Sequence, residues 1–144
     1  MDAQRTLEFN ARNIAEFRSS GGKLGGRFEG APVLLLTTTG AKSGQQRTSP
    51  MMYLPEGDRI IVFASNEGKD NHPSWYHNLR SNPSATVELG TDTFAVTATE
   101  ITGAEHDRLY GIQAQRYPGF ATYRERTQRV IPVVELVRTA PDPS

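Results

Sequence analysis

Two apolar runs lie on either side of the glycine-containing segment 37–47, and this arrangement predicts two antiparallel strands joined by a tight loop. Gly40 and Gly44 fall within the loop, where glycine permits backbone conformations that other residues avoid. A hairpin of this kind brings Lys42 and Arg47 to the same end of a sheet. The fold must therefore include a hairpin that carries two positive charges at one end.

The same loop predicts an anion site, because two cations beside the unobstructed N–H groups of Gly40 and Gly44 suit a phosphate. The spacing differs from that of a P-loop, in which four residues separate the first glycine from a Gly-Lys-Ser/Thr sequence that opens a helix. Here three residues separate the glycines, and a strand follows. The alternative is that Lys42 and Arg47 are ordinary charges on a solvated hairpin tip.

Strand signals continue along the chain, separated by glycine, proline, asparagine and aspartate. The predicted strands are 33–39, 48–54, 60–64, 85–89, 94–101 and 131–137. The predicted helices are 4–18, 73–79, 102–116 with a capping box from Thr102 to Glu105, and 120–127. Mostly antiparallel strands joined by hairpins, without a Gly-x-Gly-x-x-Gly sequence, predict a mainly β fold and a small barrel rather than a Rossmann sheet.

Composition narrows the classes of partner and of chemistry. A chain of 144 residues is expected to form one main domain, and the absence of cysteine excludes disulfides and thiolate chemistry. A formal net charge of zero disfavours a nucleic-acid partner. No apolar run approaches a membrane span, and a cytoplasmic location is expected. His72, His77 and His106 show no ligand spacing, so no metal is expected.

The predicted N-terminal helix has a thin apolar stripe that includes Leu7, Ile14 and Phe17. It is expected to pack on the domain, to lie on a membrane surface as a peripheral contact, or to stay mobile. The glycines at 21–22 and 25–26 predict a flexible linker with few packing demands. These boundaries divide the chain into a helix with linker at 1–22, a main domain at 23–140 and a tail at 141–144.

From about Gly26 to Val137 the chain resembles the deazaflavin-dependent nitroreductase family of actinobacteria, whose members are split β-barrel oxidoreductases. The motifs that carry the resemblance are Leu35-Leu36-Thr37-Thr38-Thr39-Gly40-x-Lys42-Ser43-Gly44-x-x-Arg47, Val62-Phe63-Ala64-Ser65, Pro73-x-Trp75-Tyr76-x-Asn78-Leu79-x-x-Asn82-Pro83, Tyr117-Pro118 and Ile131-Pro132-Val133-Val134. The resemblance implies a split β-barrel of about six mostly antiparallel strands with flanking helices. It also implies coenzyme F420, a deazaflavin with a phosphate and an oligoglutamate tail.

The resemblance implies a set of cofactor-binding residues, with Lys42 and Arg47 at the phosphate. The full set is Lys42, Ser43, Gly44, Arg47, Ser49, Pro50, Ala64, Ser65, Trp75 and Asn78. Each has a structural alternative: Trp75 as a core residue, Asn78 as a capping or turn residue, and Ser65 as an ordinary hydroxyl at a strand end. Ser65 is also a candidate catalytic residue.

A deazaflavin passes a hydride, so the protein is expected to hold an acceptor flat against the ring and to exclude water. The resemblance places Tyr117, Phe120 and Tyr123 in the acceptor wall, with Tyr123 as a second candidate catalytic residue. Their spacing is also typical of an aromatic core stripe. The nitroimidazole-reducing relative has tyrosine at the position of Phe120, so quinones such as menaquinone, or unsaturated lactones of the coumarin type, are expected instead.

Two other functions remain open at this point. One is a split-barrel oxidoreductase that uses FMN, an ordinary flavin, and the other is a non-catalytic carrier of a cofactor or lipid. A monomer or a weak dimer is expected, since the neutral composition favours neither.

Overall fold

The computed structural model describes residues 3–25, 28 and 30–139, with the backbone alone for residues 3–8 and for Glu67. The seven described strands are β1 (Val33–Thr39), β2 (Gln46–Met52), β3 (Leu54–Glu56), β4 (Arg59–Phe63), β5 (Ser84–Leu89), β6 (Asp92–Ile101) and β7 (Val133–Arg138). The helices are α1 (Ala3–Ser20), α2 (Ser74–Ser81), α3 (Gly103–Arg116) and α4 (Gly119–Arg126). A 3₁₀ turn spans Asn66–Gly68.

All seven strands form one antiparallel sheet in the order β2-β1-β5-β6-β7-β4-β3. The sheet curls into a half-barrel, which confirms the mainly β class and the split-barrel fold. The predicted strand 48–54 is wrong in its extent, because it divides at Tyr53 into β2 and β3. Pro55 lies in β3, an edge strand on which a missing N–H is tolerated.

Side chains alternate across β1, so its two faces pack against different helices. Leu34 and Leu36 are completely buried in one cluster with Leu79 of α2. Val33 and Leu35 face the other way. A further cluster joins β4 and β7 to the last two helices through Phe63, Val133, Leu109 and Phe120. The helices therefore cover the sheet and surround one end of it.

Helix α1 is part of this packing rather than separate from it. Phe17 is 1% exposed and packs with Val33 and Leu35 of β1. Arg18 forms a bidentate ion pair with Glu88 of β5, at 2.8 and 3.0 Å. The helix is thus held to two neighbouring strands, whereas the side chain of Leu7 lies outside the described residues.

The glycines after α1 end the helix instead of forming a flexible linker. Gly21 has a φ of +77°, and the N–H of Gly22 bonds the carbonyl of Phe17 at 2.8 Å, as in a Schellman motif. A Cβ on Gly22 would lie 2.5 Å from the Cα of Gly90 in the β5–β6 turn. The expectation of few packing demands is therefore wrong, and Gly26 lies outside the described residues.

Helix α3 begins as predicted, but the capping box does not form. Thr102 makes no side-chain bond to the helix N-terminus. Glu105 instead accepts hydrogen bonds from Arg108 and Arg59, which lower the pKa of its carboxyl to about 2. Its carboxylate therefore joins α3 to the β3–β4 hairpin. No helix within the described residues is long and apolar enough to span a bilayer.

Candidate functional site

A cavity of about 560 Å³ opens where edge strand β2, the start of α2, the segment after β4 and helix α4 meet. The predicted site residues that line this cavity are Ser49, Pro50, Ser65, Trp75, Tyr117, Phe120 and Tyr123. Apolar side chains such as Met51 and Phe63 form other parts of the wall, and Asn66 and His72 contribute polar groups. The arrangement suits a flat ring that carries a few hydrogen-bonding groups.

The three aromatic residues predicted as the acceptor wall all reach the cavity, but Phe120 also belongs to the core. It is 9% exposed, and its ring packs edge-on against Phe63 at 5.8 Å and Tyr123 at 5.3 Å. The hydroxyl of Tyr110 donates to the carbonyl of Phe120 at 2.7 Å and fixes the first turn of α4. The two interpretations of the aromatic spacing are therefore compatible, since one edge of the core forms one wall of the cavity.

Gly68 allows α4 to lie directly against the 3₁₀ turn. Its φ is +80°, and a Cβ at this position would stand 3.0 Å from the Cα of Tyr123. Any side chain would push Tyr123 away from the turn. Gly68 therefore sets the separation between two walls of the cavity.

The segment 65–72 contributes polar residues to the wall of the cavity. Ser65 follows β4 and is 9% exposed. Asn66 is the only non-glycine residue with a positive φ within the described part of the chain, at 48°, and its side-chain amide donates to the carbonyl of Asn71 at 3.0 Å. Such a conformation is uncommon outside glycine and is found in turns held by their surroundings.

Arg129 holds this segment in place. Its guanidinium donates to the carbonyls of Ala64, Ser65 and Lys69 at 3.2, 2.8 and 2.9 Å, and to Nδ1 of His72 at 3.0 Å. Burial lowers the pKa of Arg129, which nonetheless remains a cation at neutral pH.

Sequence reasoning missed this role of Arg129. The structure places it beyond the end of α4, partly buried. Its partners lie 57 to 65 residues earlier in the chain. No local pattern in the sequence points to them.

Six residues of the predicted cofactor set do not line the cavity: four at the end of the β1–β2 hairpin (Lys42, Ser43, Gly44 and Arg47) and two in the interior (Ala64 and Asn78). Ala64 is completely buried in the sheet core, so its side chain has no surface for a ring. Asn78 is 7% exposed and connects α2 to the β1–β2 loop. Its amide donates to Thr38 Oγ1 at 3.0 Å, and its carbonyl oxygen accepts the N–H of Ala41 at 3.0 Å. Asn78 is therefore a brace for the loop.

The loop between β1 and β2 uses its glycine N–H groups internally. The N–H of Gly40 bonds the carbonyl of Gln45 at 2.7 Å, and the N–H of Gly44 bonds the carbonyl of Gly40 at 3.0 Å. The expectation that these two amides are open to an anion is therefore wrong. The backbone N–H groups of Lys42 and Ser43, by contrast, have no hydrogen-bond acceptor among the described residues.

Lys42 and Arg47 are exposed, and neither forms an ion pair with another described residue. The register of β2 sets the direction of Arg47, which pairs with Thr38 while Ser49 pairs with Leu36. Arg47 and Ser49 thus share a face of the strand, about 7 Å apart along it. Ser49 lines the cavity. Arg47, at the cationic end of the hairpin, therefore lies two residues along the same strand from the cavity wall.

Comparison with known proteins agrees with this geometry. The model of the F420H(2)-dependent quinone reductase family matches residues 10–138. An F420H(2)-dependent quinone reductase of Mycobacterium tuberculosis (strain ATCC 25618 / H37Rv) is 42% identical, and the match covers 96% of this chain and 99% of the relative. The chain belongs to the F420H(2)-dependent quinone reductase family. It is an oxidoreductase that uses reduced F420, as the sequence resemblance implied.

Solved structures support the fold of this quinone reductase. A chain described as an F420-H2 dependent reductase (FDR-A) has a TM-score of 0.66 at 39% identity, covering 73% of this chain and 93% of its own. Another, described as a domain-swapped dimer, has a TM-score of 0.68 at 34% identity, covering 92% and 97%. Among the described residues, no group of three or more histidine, aspartate or glutamate side chains is placed to hold a metal.

Proposed function

We propose that the quinone reductase binds reduced F420 with its ring in the cavity and its phosphate at Lys42 and Arg47, and that a flat conjugated acceptor enters beside the aromatic wall. The observation that carries this proposal is the register of β2, which places Arg47 on the strand face that Ser49 presents to the cavity. One ligand with a flat ring and an anionic chain would fit the cavity with its ring and reach Lys42 and Arg47 with its chain.

The proposed donors to the phosphate are not the N–H groups of Gly40 and Gly44 that the sequence predicted. Lys42 and Arg47 supply charge, and the amides of Lys42 and Ser43 supply N–H donors that the loop itself does not use. Ser43 Oγ accepts the N–H of Gln45 at 3.1 Å, so its hydroxyl oxygen holds the loop while its own amide stays open. Gly44, with a φ of +70°, permits the turn and donates its N–H to Gly40.

The ring side of the site is formed by Ser49, Pro50, Ser65 and Trp75. The bound coenzyme would supply the hydride, and these residues would hold its ring and keep water from the reacting face. Ser65 offers a hydroxyl at the wall, and Trp75 offers a flat apolar surface. Asn78 acts through the loop that it braces, because its own side chain is occupied.

The acceptor side is formed by Tyr117, Phe120 and Tyr123. A quinone such as menaquinone, or a coumarin-type lactone, is flat enough to lie against these rings. The hydroxyl of Tyr123 would donate a hydrogen bond or a proton to the acceptor. Phe120 lacks a hydroxyl, so nitroimidazoles are expected to be poor acceptors.

Location and assembly stay predictions: a cytoplasmic enzyme that acts as a monomer or a weak dimer on a small-molecule acceptor. Contact with a membrane through α1 finds little support, because Phe17 is buried against the sheet and is not free to enter lipid. The boundaries at residues 22 and 140 also remain predictions, and the second of them lies at residues outside the described part of the chain.

The proposal is tested by titrating the protein with reduced F420, reduced FMN and NADH, each with and without menaquinone. We expect tight binding and consumption of reduced F420 only, with one quinone reduced per cofactor oxidised. Binding and consumption of FMN would establish the ordinary-flavin alternative. Tight binding of F420 without turnover over a panel of quinones, lactones and nitro compounds would indicate a carrier.

A further inference from the structure

We propose that His72 is a further active-site residue, which presents Nε2–H to the cavity as a fixed hydrogen-bond donor for the quinone oxygen that gains negative charge. This inference rests on the proposed function. His72 stands immediately before Pro73 at the start of the α2 wall, and its ring lines the cavity. It has no place in the cofactor set that the sequence resemblance implied.

The position of the proton follows from the partner of the ring. Nη1 of Arg129 lies 3.0 Å from Nδ1 of His72. A guanidinium has only donors, so Nδ1 must be the acceptor and the proton must reside on Nε2. No described residue is placed to take the Nε2–H. The donor is therefore available to a molecule in the cavity.

The ring is also held in orientation from its other side. It lies against the ring of Tyr76, with centroids 4.7 Å apart, and the Tyr76 hydroxyl donates to Glu100 Oε1 at 2.6 Å. Tyr76 is itself buried in the core next to the sheet. Because Arg129 and Tyr76 are both fixed, the imidazole has little freedom to turn its donor away. A donor that is fixed before the reaction costs no reorganisation when charge develops.

The surroundings favour the neutral imidazole. Burial is the main cause that lowers the pKa of His72, and the positive charges of Arg129, His77 and Arg80 act in the same direction against a weaker opposing effect of Glu100. A neutral imidazole donates a hydrogen bond but does not release its proton readily. His72 would therefore stabilise charge rather than act as a general acid, as neutral histidines do elsewhere.

In the proposed step the quinone gains two electrons and two protons. A carbon–hydrogen bond of the reduced coenzyme breaks, and hydride carries one proton and two electrons to the quinone. One quinone oxygen is left with a negative charge, which the Nε2–H of His72 stabilises. A second proton, from solvent or from Tyr123, then completes the hydroquinone. The proton on Nε2 stays on His72 throughout.

The substitution His72→Asn separates the donor from the structural contact. The asparagine Oδ1 takes the place of Nδ1, so the bond from Arg129 is retained, while the donor at Nε2 is lost. We expect kcat/KM for menaquinone to fall about 10²-fold, with the Kd for oxidised F420 and the melting temperature nearly unchanged. Ser81→Asn is the control, because Ser81 is exposed at the end of α2 and does not line the cavity; it should leave all these quantities unchanged.

A second readout does not depend on turnover. In the unliganded wild-type protein near pH 7, ring ¹⁵N chemical shifts should show His72 protonated on Nε2 alone. A ring protonated on Nδ1, or on both nitrogens, would overturn the proposal. His72→Asn with wild-type kcat/KM, or with cofactor affinity reduced as much as turnover, would also overturn it. Wild-type protein that leaves menaquinone unreduced with reduced F420 would instead overturn the proposed function, and this inference with it.

Discussion

The loop between β1 and β2 and the segment 65–72 border the same site but are held in different ways. The loop closes on itself through bonds such as Gly40 to Gln45, and it exposes two cations without partners among the described residues. The segment is held from a distance by Arg129, whose donors reach two of its carbonyls, the carbonyl of Ala64 just before it, and His72. One region is held mainly by bonds within the loop, with Asn78 as a brace, and carries charge. The other depends on remote side chains, chiefly Arg129, with a further bond from Thr127 to Asp70.

This difference predicts different consequences of mutation. Exposed cations such as Lys42 contribute little to folding, so their loss should change ligand affinity and leave stability intact. A partly buried guanidinium with several acceptors contributes to folding and to the shape of the cavity, so its loss should change both. The two regions should therefore separate in experiments that measure affinity and stability side by side.

The largest effect is expected for Arg129→Ala, which leaves three carbonyls and His72 without their donor. We expect the free energy of unfolding to fall by about 2–4 kcal/mol, with turnover lost because segment 65–72 moves. Urea denaturation measures the first quantity. Arg126→Ala removes an exposed cation three residues away and should have little effect. Equal stability of the two variants would show that Arg129 does not hold the segment.

A smaller effect is expected for Tyr123→Phe, which removes a hydroxyl at the acceptor wall and keeps the ring against Phe120. We expect turnover with menaquinone to fall by up to about 10²-fold, at the low end of general-acid contributions, while the Kd for F420 stays constant. Tyr53→Phe is the control, since Tyr53 packs on the core and does not line the cavity. If the affinity for F420 falls instead, the Tyr123 hydroxyl contacts the coenzyme and not the acceptor.

The addition of a hydroxyl at Phe120 should have a modest effect that depends on the acceptor. Phe120→Tyr is expected to change the ranking among quinones, lactones and nitroimidazoles, with nitroimidazole reduction gaining most. Because Phe120 also packs in the core, some loss of melting temperature is expected. Steady-state rates for one acceptor of each class measure the ranking. A uniform change over all acceptors would indicate that only packing was altered.

The smallest effect concerns acid stability. The pKa of His72 is lowered in the folded protein, chiefly by burial, so below about pH 6.5 the unfolded chain binds a proton that the folded protein resists. Stability should therefore be complete above that pH and should decline as pH falls towards the folded-state pKa. The decline should be steeper in wild type than in His72→Asn, with Ser81→Asn resembling wild type. Parallel curves for wild type and His72→Asn would contradict the lowered pKa.

Local patterns in the sequence predicted the elements that local interactions form. The bounds of β1 were predicted correctly, and α2, α3 and α4 begin within a residue or two of the expected positions. The division between β2 and β3 was missed because it depends on a tertiary contact: the N–H of Tyr53 bonds the carbonyl of Pro32, just before β1. The glycines at 21 and 22 were misjudged for a similar reason, since their close approach to Gly90 is a tertiary contact.

The candidate site divides in the same way. The cationic and aromatic site residues were predicted from their type and spacing, and seven of the predicted residues line the cavity. The role of Asn78 as a brace could not be predicted, because its partners Thr38 and Ala41 are about forty residues away. Arg129 and His72 were missed for the same reason. Which side chains hold a site together depends on distances that only the folded chain defines.

One ligand is expected to span the cavity and the cationic end of β2, with its phosphate at Lys42 and Arg47. The most direct test measures the Kd of wild type and Arg47→Ala for F420 and for its dephosphorylated core, with Arg80→Ala, at the far end of α2, as control. We predict about a 10- to 100-fold loss of affinity for F420, no loss for the core, and no change for the control. Equal losses for both ligands would contradict the claim.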